Sequence, residues 1–236
     1  MNLPVFIARR IKKPGSDTFS STIHKIAIGS VAVGLFIMLI SIMIMVGFRQ
    51  TIRDKVSAFN GDLQITKYTM SSTYEELPVS RNMDFFKEVV KLPYINHIQG
   101  VAHKVALIKT SKEIQGVEFK GIGKDFDFNR FRNDIVEGEF LNFSDSSVLN
   151  DIVVSRKIAD ILDIRVHDQI LLYFVQKPVR VRKLNVCGIY DSGMEEFDEK
   201  IVFGDIRVIQ QLNDWSHDLC GTFEVFVKDR ESLEAA

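Results

Sequence analysis

The sequence predicts an α+β domain lying outside the cytoplasm and carried on one N-terminal transmembrane helix. Three observations carry that reading. Residues 26–48, IAIGSVAVGLFIMLISIMIMVGF, hold no Asp, Glu, Lys, Arg, Asn, Gln or Pro. Beyond them, short runs that alternate apolar and polar residues, such as DLQITKY and TFEVFVKD, read as strands. Between the strands lie short segments with helix-start signals, such as SRKIADILDI.

The elements follow in order. In NLPVFIARRIKK, Leu3, Phe6, Ile7 and Ile11 fall near one helical face beside Arg9, Arg10, Lys12 and Lys13. That is the pattern of a short amphipathic elbow in the headgroup plane, assigned to residues 1–25 and broken by Pro14-Gly15-Ser16. The stretch 26–48 is longer than a signal-peptide core and exits through Val46-Gly47-Phe48-Arg49 without a small-residue cleavage pattern, so it reads as a retained span. A helix of this length covers about 34 Å, enough for a hydrocarbon core of about 30 Å. Arg9, Arg10, Lys12, Lys13 and Lys25 precede the span against Asp17, while Arg49, Arg53, Lys55 and Asp54 follow it. The excess of positive charge before the span favours a cytoplasmic N-terminus and a main domain outside. Phe48, Ile52, Val56 and Phe59 continue one helical face as a stalk over 49–59, and Asn60-Gly61-Asp62 turns out of it.

Residues 60–236 form the extracytoplasmic domain. DLQITKY is a strand, residues 83–92 a helix ending before Pro93, and residues 98–110 and 113–123 two strands joined at Ser111-Lys112. Residues 124–150 read as irregular, with a short helix around Phe128. DIVVS is a strand; SRKIADILDI is a helix capped by Ser155, with Ile158, Ile161 and Leu162 inward. QILLYFV and VRKLNVCGIY read as paired strands, residues 205–212 as a helix, and TFEVFVKD as a closing strand with Phe223, Val225 and Val227 on one side.

The composition excludes several function classes. With 30 Lys and Arg against 31 Asp and Glu, no basic face offers itself to nucleic acid. Two cysteines, Cys187 and Cys220, are too few for a disulfide scaffold or a cysteine metal site. They read as small buried hydrophobes, with a disulfide left open. Gly116-x4-Gly121 resembles a phosphate loop, but Ile122-Gly123 stands where Lys-Ser/Thr is required; Gly121-Ile122-Gly123 starts a dinucleotide fingerprint that Phe126 ends. Asp125, Asp127 and Asn129 mimic a calcium loop, but Arg130 replaces its turn glycine and Val136 its bidentate Glu. The acidic run Glu195, Glu196, Asp198 and Glu199 reads as a solvated loop rather than a cation site. The five histidines lack ligand spacing, and no nucleophile elbow occurs. No metal, cofactor or catalytic residue is expected, and the chain does not read as an enzyme.

Three stretches carry a family resemblance. FIARRIKK with FSSTIHKIAIGSVAVGLFIMLISIMIMVGF and FRQTIRDKV resembles the elbow, first span and stalk of the permease subunits of lipoprotein-releasing ABC transporters, the LolC/LolE group within the FtsX/MacB-type permease class. IVVSRKIADILDIRVHDQILLYF resembles that family's pattern of a small helix before a Gly-Asp turn and strand, with His167-Asp168 in place of Gly-Asp. CGIYDSGMEEFDEKIVFGDIRVIQQLN resembles a segment of permeases from Bacteroidetes-like bacteria. The resemblance implies a MacB-like periplasmic core: a porter-like lobe, about 60–123 with 220–236, and an inserted β-rich lobe, about 124–219.

It also implies a function. Two permease subunits, identical or different, pair in the bacterial inner membrane with a cytoplasmic ATPase subunit. ATP-driven closure passes through spans and stalks to periplasmic domains that extract lipoprotein cargo and hand it to a soluble carrier. The family has three further membrane helices after this domain, and this chain ends at Glu234-Ala235-Ala236, so it reads as a fragment. The long carrier-binding hook of the LolC type is replaced by a short stretch from Phe174 to Val179. Family geometry makes Met43, Val46, Gly47, Phe48 and Ile52 the candidates to cradle acyl chains, with membrane lipid or a neighbouring helix as the bland alternative. Phe6, Arg9, Phe174, Gln176, Lys177 and Pro178 are candidates for partner contact, the short stretch at 174–179 speaking against direct recruitment of a carrier. Two further readings stay open: a MacB- or FtsX-like mechanotransmitter for peptide efflux or cell-wall hydrolase control, and a single-span extracytoplasmic sensor or scaffold.

Overall fold

The computed structural model describes residues 19–67, 76–82, 88–89, 92–110, 113–143 and 148–228. Residues 1–18 of the expected elbow, with Phe6 and Arg9, lie outside the described residues, as does most of the helix expected over 83–92. The chain divides into two compact units, Met1–Arg53 and Asp54–Ala236.

The first unit consists, among its described residues, of most of helix α1, Phe19–Asn60. Within α1, residues 22–60 have a mean hydropathy of 2.8 in their most apolar window, enough by length and composition to cross a membrane. Three of its hydroxyls are satisfied inside the helix: Ser30 Oγ donates to Ala27 O (2.9 Å), Ser41 Oγ to Ile37 O (2.9 Å) and Thr51 Oγ1 to Gly47 O (3.0 Å). Hydrocarbon demands that arrangement, because it offers polar groups no water.

The second unit is built on a nine-stranded sheet. Its strands are β1 Leu63–Thr66, β3 Ile95–Lys109, β4 Ile114–Ile122, β5 Ile135–Gly138, β6 Asp151–Ser155, β7 Gln169–Phe174, β8 Arg180–Tyr190, β9 Ile201–Asp205 and β11 Thr222–Val227. Two short strands, β2 Val79–Ser80 and β10 Leu219–Cys220, pair separately. Six strands close into a ring. β3 pairs with β4, β4 with β9, β9 with β6, β6 with β8, β8 with β7, and β7 returns to β3. Closure leaves those strands without an open edge. The first half of β3 extends beyond the ring and pairs with β11, which in turn pairs with β1.

Alternating side chains fill the two faces. Ala106, Ile108, Phe119, Ile152, Val154, Leu172, Phe174, Val186 and Val202 pack in one cluster, closed by Ile158 and Leu162 of α2, Arg156–Leu162, and by Ile209 and Leu212 of α4, Ile206–Leu212. Gly204 is required there, because a Cβ would stand 2.2 Å from the Phe119 ring. The opposite face carries a second, aromatic cluster of Phe59, Phe126, Phe131, Tyr190 and Phe203.

Most expected elements form where their residues place them. Ser155 caps α2, its Oγ accepting from Ile158 N (3.0 Å), and Asp205 caps α4, its Oδ1 accepting from Arg207 N (2.9 Å). The expected short helix at Phe128 is a 3-10 turn, Phe128–Arg130. Two readings need correction. Residues 124–150 are not wholly irregular, since they contain β5 and supply five rings of the second cluster and its rim, Phe126, Phe128, Phe131, Phe140 and Phe143. The acidic run is not a solvated loop: it forms α3, Glu195–Asp198, where Glu195 and Glu199 pair with Lys157 and Asp198 turns inward to accept from Ser192 Oγ (2.7 Å). β11 is buried at every position: Phe223 joins the first cluster on one face, and Glu224 on the other is held by Lys120 and Gln99. Strands of the two segments expected as separate lobes share the sheet, through β4 with β9 and β3 with β7.

Cys187 and Cys220 are free thiols. Burial pushes both up to about 12, which keeps them protonated and unreactive at neutral pH.

Candidate functional site

The last turns of α1 belong to the second unit, and the domain holds them from three sides. α1 stops at Asn60 because Gly61 takes a left-handed conformation, φ 72°, and its N–H bonds back to Ser57 O (2.8 Å). A side chain on Gly61 would also meet Glu224 Cβ at 3.0 Å, so the chain passes directly over β11. Asp62 then ties the exit down. Its N–H donates to Val225 O (2.9 Å), its Oδ1 accepts from Ser57 Oγ (2.8 Å), and its Oδ2 accepts from Val227 N (3.0 Å).

Phe59 is the plug. It is buried and surrounded by rings: Phe197 stacks on it at 4.5 Å with planes 3° apart, and Phe131 meets it edge-on at 4.9 Å. Phe203 and Tyr190 lie 6.0 and 6.1 Å away. Such pairs add to the burial of a Phe side chain, which is itself worth about 1.5–3 kcal/mol.

Beneath the plug lies a buried polar chain. Lys120 Nζ, on β4, donates to the carbonyl of Phe59 and to Glu224 Oε1 on β11. Gln99 Nε2, on β3, donates to Glu224 Oε2 (2.8 Å), and Gln99 Oε1 accepts from Asp127 N (3.0 Å). The side chains of Lys120 and Glu224 are 1% and 0% exposed. A cation at the C-terminal end of a helix also complements the helix dipole.

The segment around α3 forms a third contact. Lys55 Nζ donates to Ser192 O, and Ser192 Oγ and N–H both donate to Asp198 Oδ1, at 2.7 and 3.3 Å. Burial raises the pKa of Asp198 above the usual carboxylate value, with its bonds from Ser192 opposing. Burial likewise raises Asp134, opposed by Lys55 and reinforced by Asp198 and Asp191. Tyr190, buried with its hydroxyl donating to Ile201 O (2.8 Å), is raised well above the ordinary phenol value by burial.

The sequence-derived candidates lie elsewhere. Met43, Val46, Gly47, Phe48 and Ile52 sit on α1 with their surfaces open, Met43 at 73% and Phe48 at 66% exposed. Of the expected stalk face, Phe59 is buried, while Phe48, Ile52 and Val56 are exposed. Phe174 is a core residue with no exposed surface, packed edge-on against Phe119 at 5.5 Å, and cannot reach a partner. Gln176, Lys177 and Pro178 remain on the short β7–β8 connection, with Lys177 and Pro178 exposed. Lys120, Glu224, Gln99 and Phe197 escaped the sequence reading. A single charge inside an otherwise apolar strand, as in TFEVFV, is the signal that marks Glu224.

This architecture defines a class. A family model for the MacB-like periplasmic core domain matches residues 26–236, and the chain belongs to that family. It is a domain of the LolC/MacB permease type. Among curated proteins, it is 23% identical over 224 residues to the lipoprotein-releasing system transmembrane protein LolC of Buchnera aphidicola subsp. Schizaphis graminum (strain Sg), covering 90% of this chain and 53% of that protein. The chain thus spans about half the length of that relative. Among solved structures, it is similar to the extracellular domain of the ABC-type transporter YknZ from Gram-positive bacteria, with a TM-score of 0.48, 12% identity, and coverage of 73% of this chain and 88% of that one. It is also similar to the periplasmic region of MacB from Actinobacillus actinomycetemcomitans, with a TM-score of 0.48, 11% identity, and coverage of 76% and 82%.

Proposed function

We propose that this chain is part of an ABC transporter permease subunit that releases lipoproteins from the bacterial inner membrane. The observation that carries the reading is the seating of the last turn of α1 in the domain, where Phe59 and its carbonyl are held by rings and by Lys120. A helix apolar enough to span the bilayer thus ends inside a folded domain, a geometry suited to passing movement. The likeness to LolC supports lipoprotein as the cargo.

In this reading residues 1–25 are the cytoplasmic elbow, 26–48 the span, 49–59 the stalk and 60–236 the periplasmic domain, with its two lobes bounded near 123 and 220. A cytoplasmic ATPase subunit hydrolyses ATP, a second permease subunit completes the transport path, and Met43, Val46, Gly47 and Phe48 of the outer half of the span, with Ile52 of the stalk, meet acyl chains. A second reading, mechanotransmission of the MacB or FtsX kind, is favoured by one observation. The connection between β7 and β8 is only five residues, 175–179, too short for a long carrier-binding hook. Depletion of the protein separates the two. Lipoprotein release predicts that outer-membrane lipoproteins accumulate in the inner membrane; normal outer-membrane levels contradict it.

A further inference from the structure

We propose that the buried Lys120–Glu224 pair is a positioning device for transport, fixing the last turn of α1 in register with the sheet so that helix movement enters β4 and β11 without slip. The inference rests on the transporter reading above. A buried ion pair is a poor source of stability, since well-packed apolar residues of similar volume generally serve as well or better. Its geometry points to another use. Lys120 spends one donor on a helix-terminal carbonyl and another on Glu224, whose second oxygen is held by Gln99. Gln99 continues to Asp127 N, and Asp127 to Arg130 Nε (3.0 Å), which lies over the Phe226 ring at 4.0 Å. One chain of polar contacts therefore joins the helix end to three neighbouring strands and to the loop that carries Phe126 and Phe131.

This arrangement responds to displacement in an all-or-none way. Moving α1 along its axis by a single residue shifts the Phe59 carbonyl by about 1.5 Å. Lys120 then loses its carbonyl acceptor while keeping Glu224, and a buried ammonium left short of a hydrogen-bond partner is disfavoured. An apolar plug alone tolerates a small slide, because dispersion contacts are individually weak and non-directional. The charged pair does not, so the last turn of α1 and the sheet move together.

The test uses the full permease assembled with its ATPase subunit, and follows hydrogen exchange of β4 and β11 with and without a non-hydrolysable ATP analogue. In the parent, nucleotide changes the exchange of these strands. In the double variant Lys120→Met with Glu224→Leu, thermal stability is retained or raised, while the nucleotide-dependent change shrinks about tenfold, a magnitude ordinary for coupled sites. A full response in that variant, or none in the parent, overturns the proposal. Should the double variant not fold, Glu224→Gln keeps the side-chain shape and removes the charge; it is expected to weaken the response several-fold, and an unchanged response overturns the proposal equally. Lipoprotein release, scored separately in the same vesicles, tests the functional reading alone.

Discussion

At His167 the backbone is left-handed, φ 76°, with its N–H donating to Val186 O (2.7 Å) as the chain turns from α2 into β7. The conformation favours glycine at this position, because a Cβ there is strained. His167→Gly is expected to stabilise the detergent-solubilised chain by about 1 kcal/mol, read from its urea midpoint. Asp134 makes a second residue-level prediction. Its pKa is raised above 3.8, first by burial and further by Asp198 and Asp191, against the pull of Lys55. The folded state therefore holds this proton more tightly than the unfolded chain does. The associated stability is complete below pH 3.8 and is lost as pH rises through the raised value. Asp134→Asn should then be more stable than the parent at neutral pH, with the gain vanishing in acid; an equal gain at both pH values contradicts the assignment.

Among the elements, the end of α1 carries the largest local consequence. Phe59→Ala opens a cavity among Phe131, Phe197 and Phe203 and is expected to cost about 3–5 kcal/mol by chemical denaturation. Val56→Ala, three residues earlier on an exposed surface, should stay within about 0.5 kcal/mol. The stop at Asn60 is legible in the sequence because Gly61 is a local signal, as are the caps Ser155 and Asp205. The pairing of β7 with β8 is equally legible, since two alternating runs are separated by a short turn. β9 is not, because IVFGD is buried at every position and shows no alternation. β5 escapes for another reason: its four residues have no apolar face to reveal them. Phe48, Ile52, Val56 and Phe59 repeat at helical spacing, yet only Phe59 is buried, since periodicity reports a face and not what covers it. The site itself was out of reach. Lys120 and Glu224 stand 104 residues apart, and no local pattern reports a contact of that separation.

For the whole molecule, the ring of six strands gives the end of α1 a foundation that cannot peel open at an edge. The family of MacB-like periplasmic core domains supplies the class, and the proposed cargo follows from the likeness to LolC. The account's central claim is that an unbroken helix carries movement into the domain. Val56→Pro tests it most directly, because the substitution breaks the helix at an exposed position while leaving Phe59 and its socket residues in place. Lipoprotein release in cells depleted of the parent protein is the measurement. The account predicts that Val56→Ala restores release and Val56→Pro, present at equal level and still supporting ATP hydrolysis, does not; full release by Val56→Pro would contradict it.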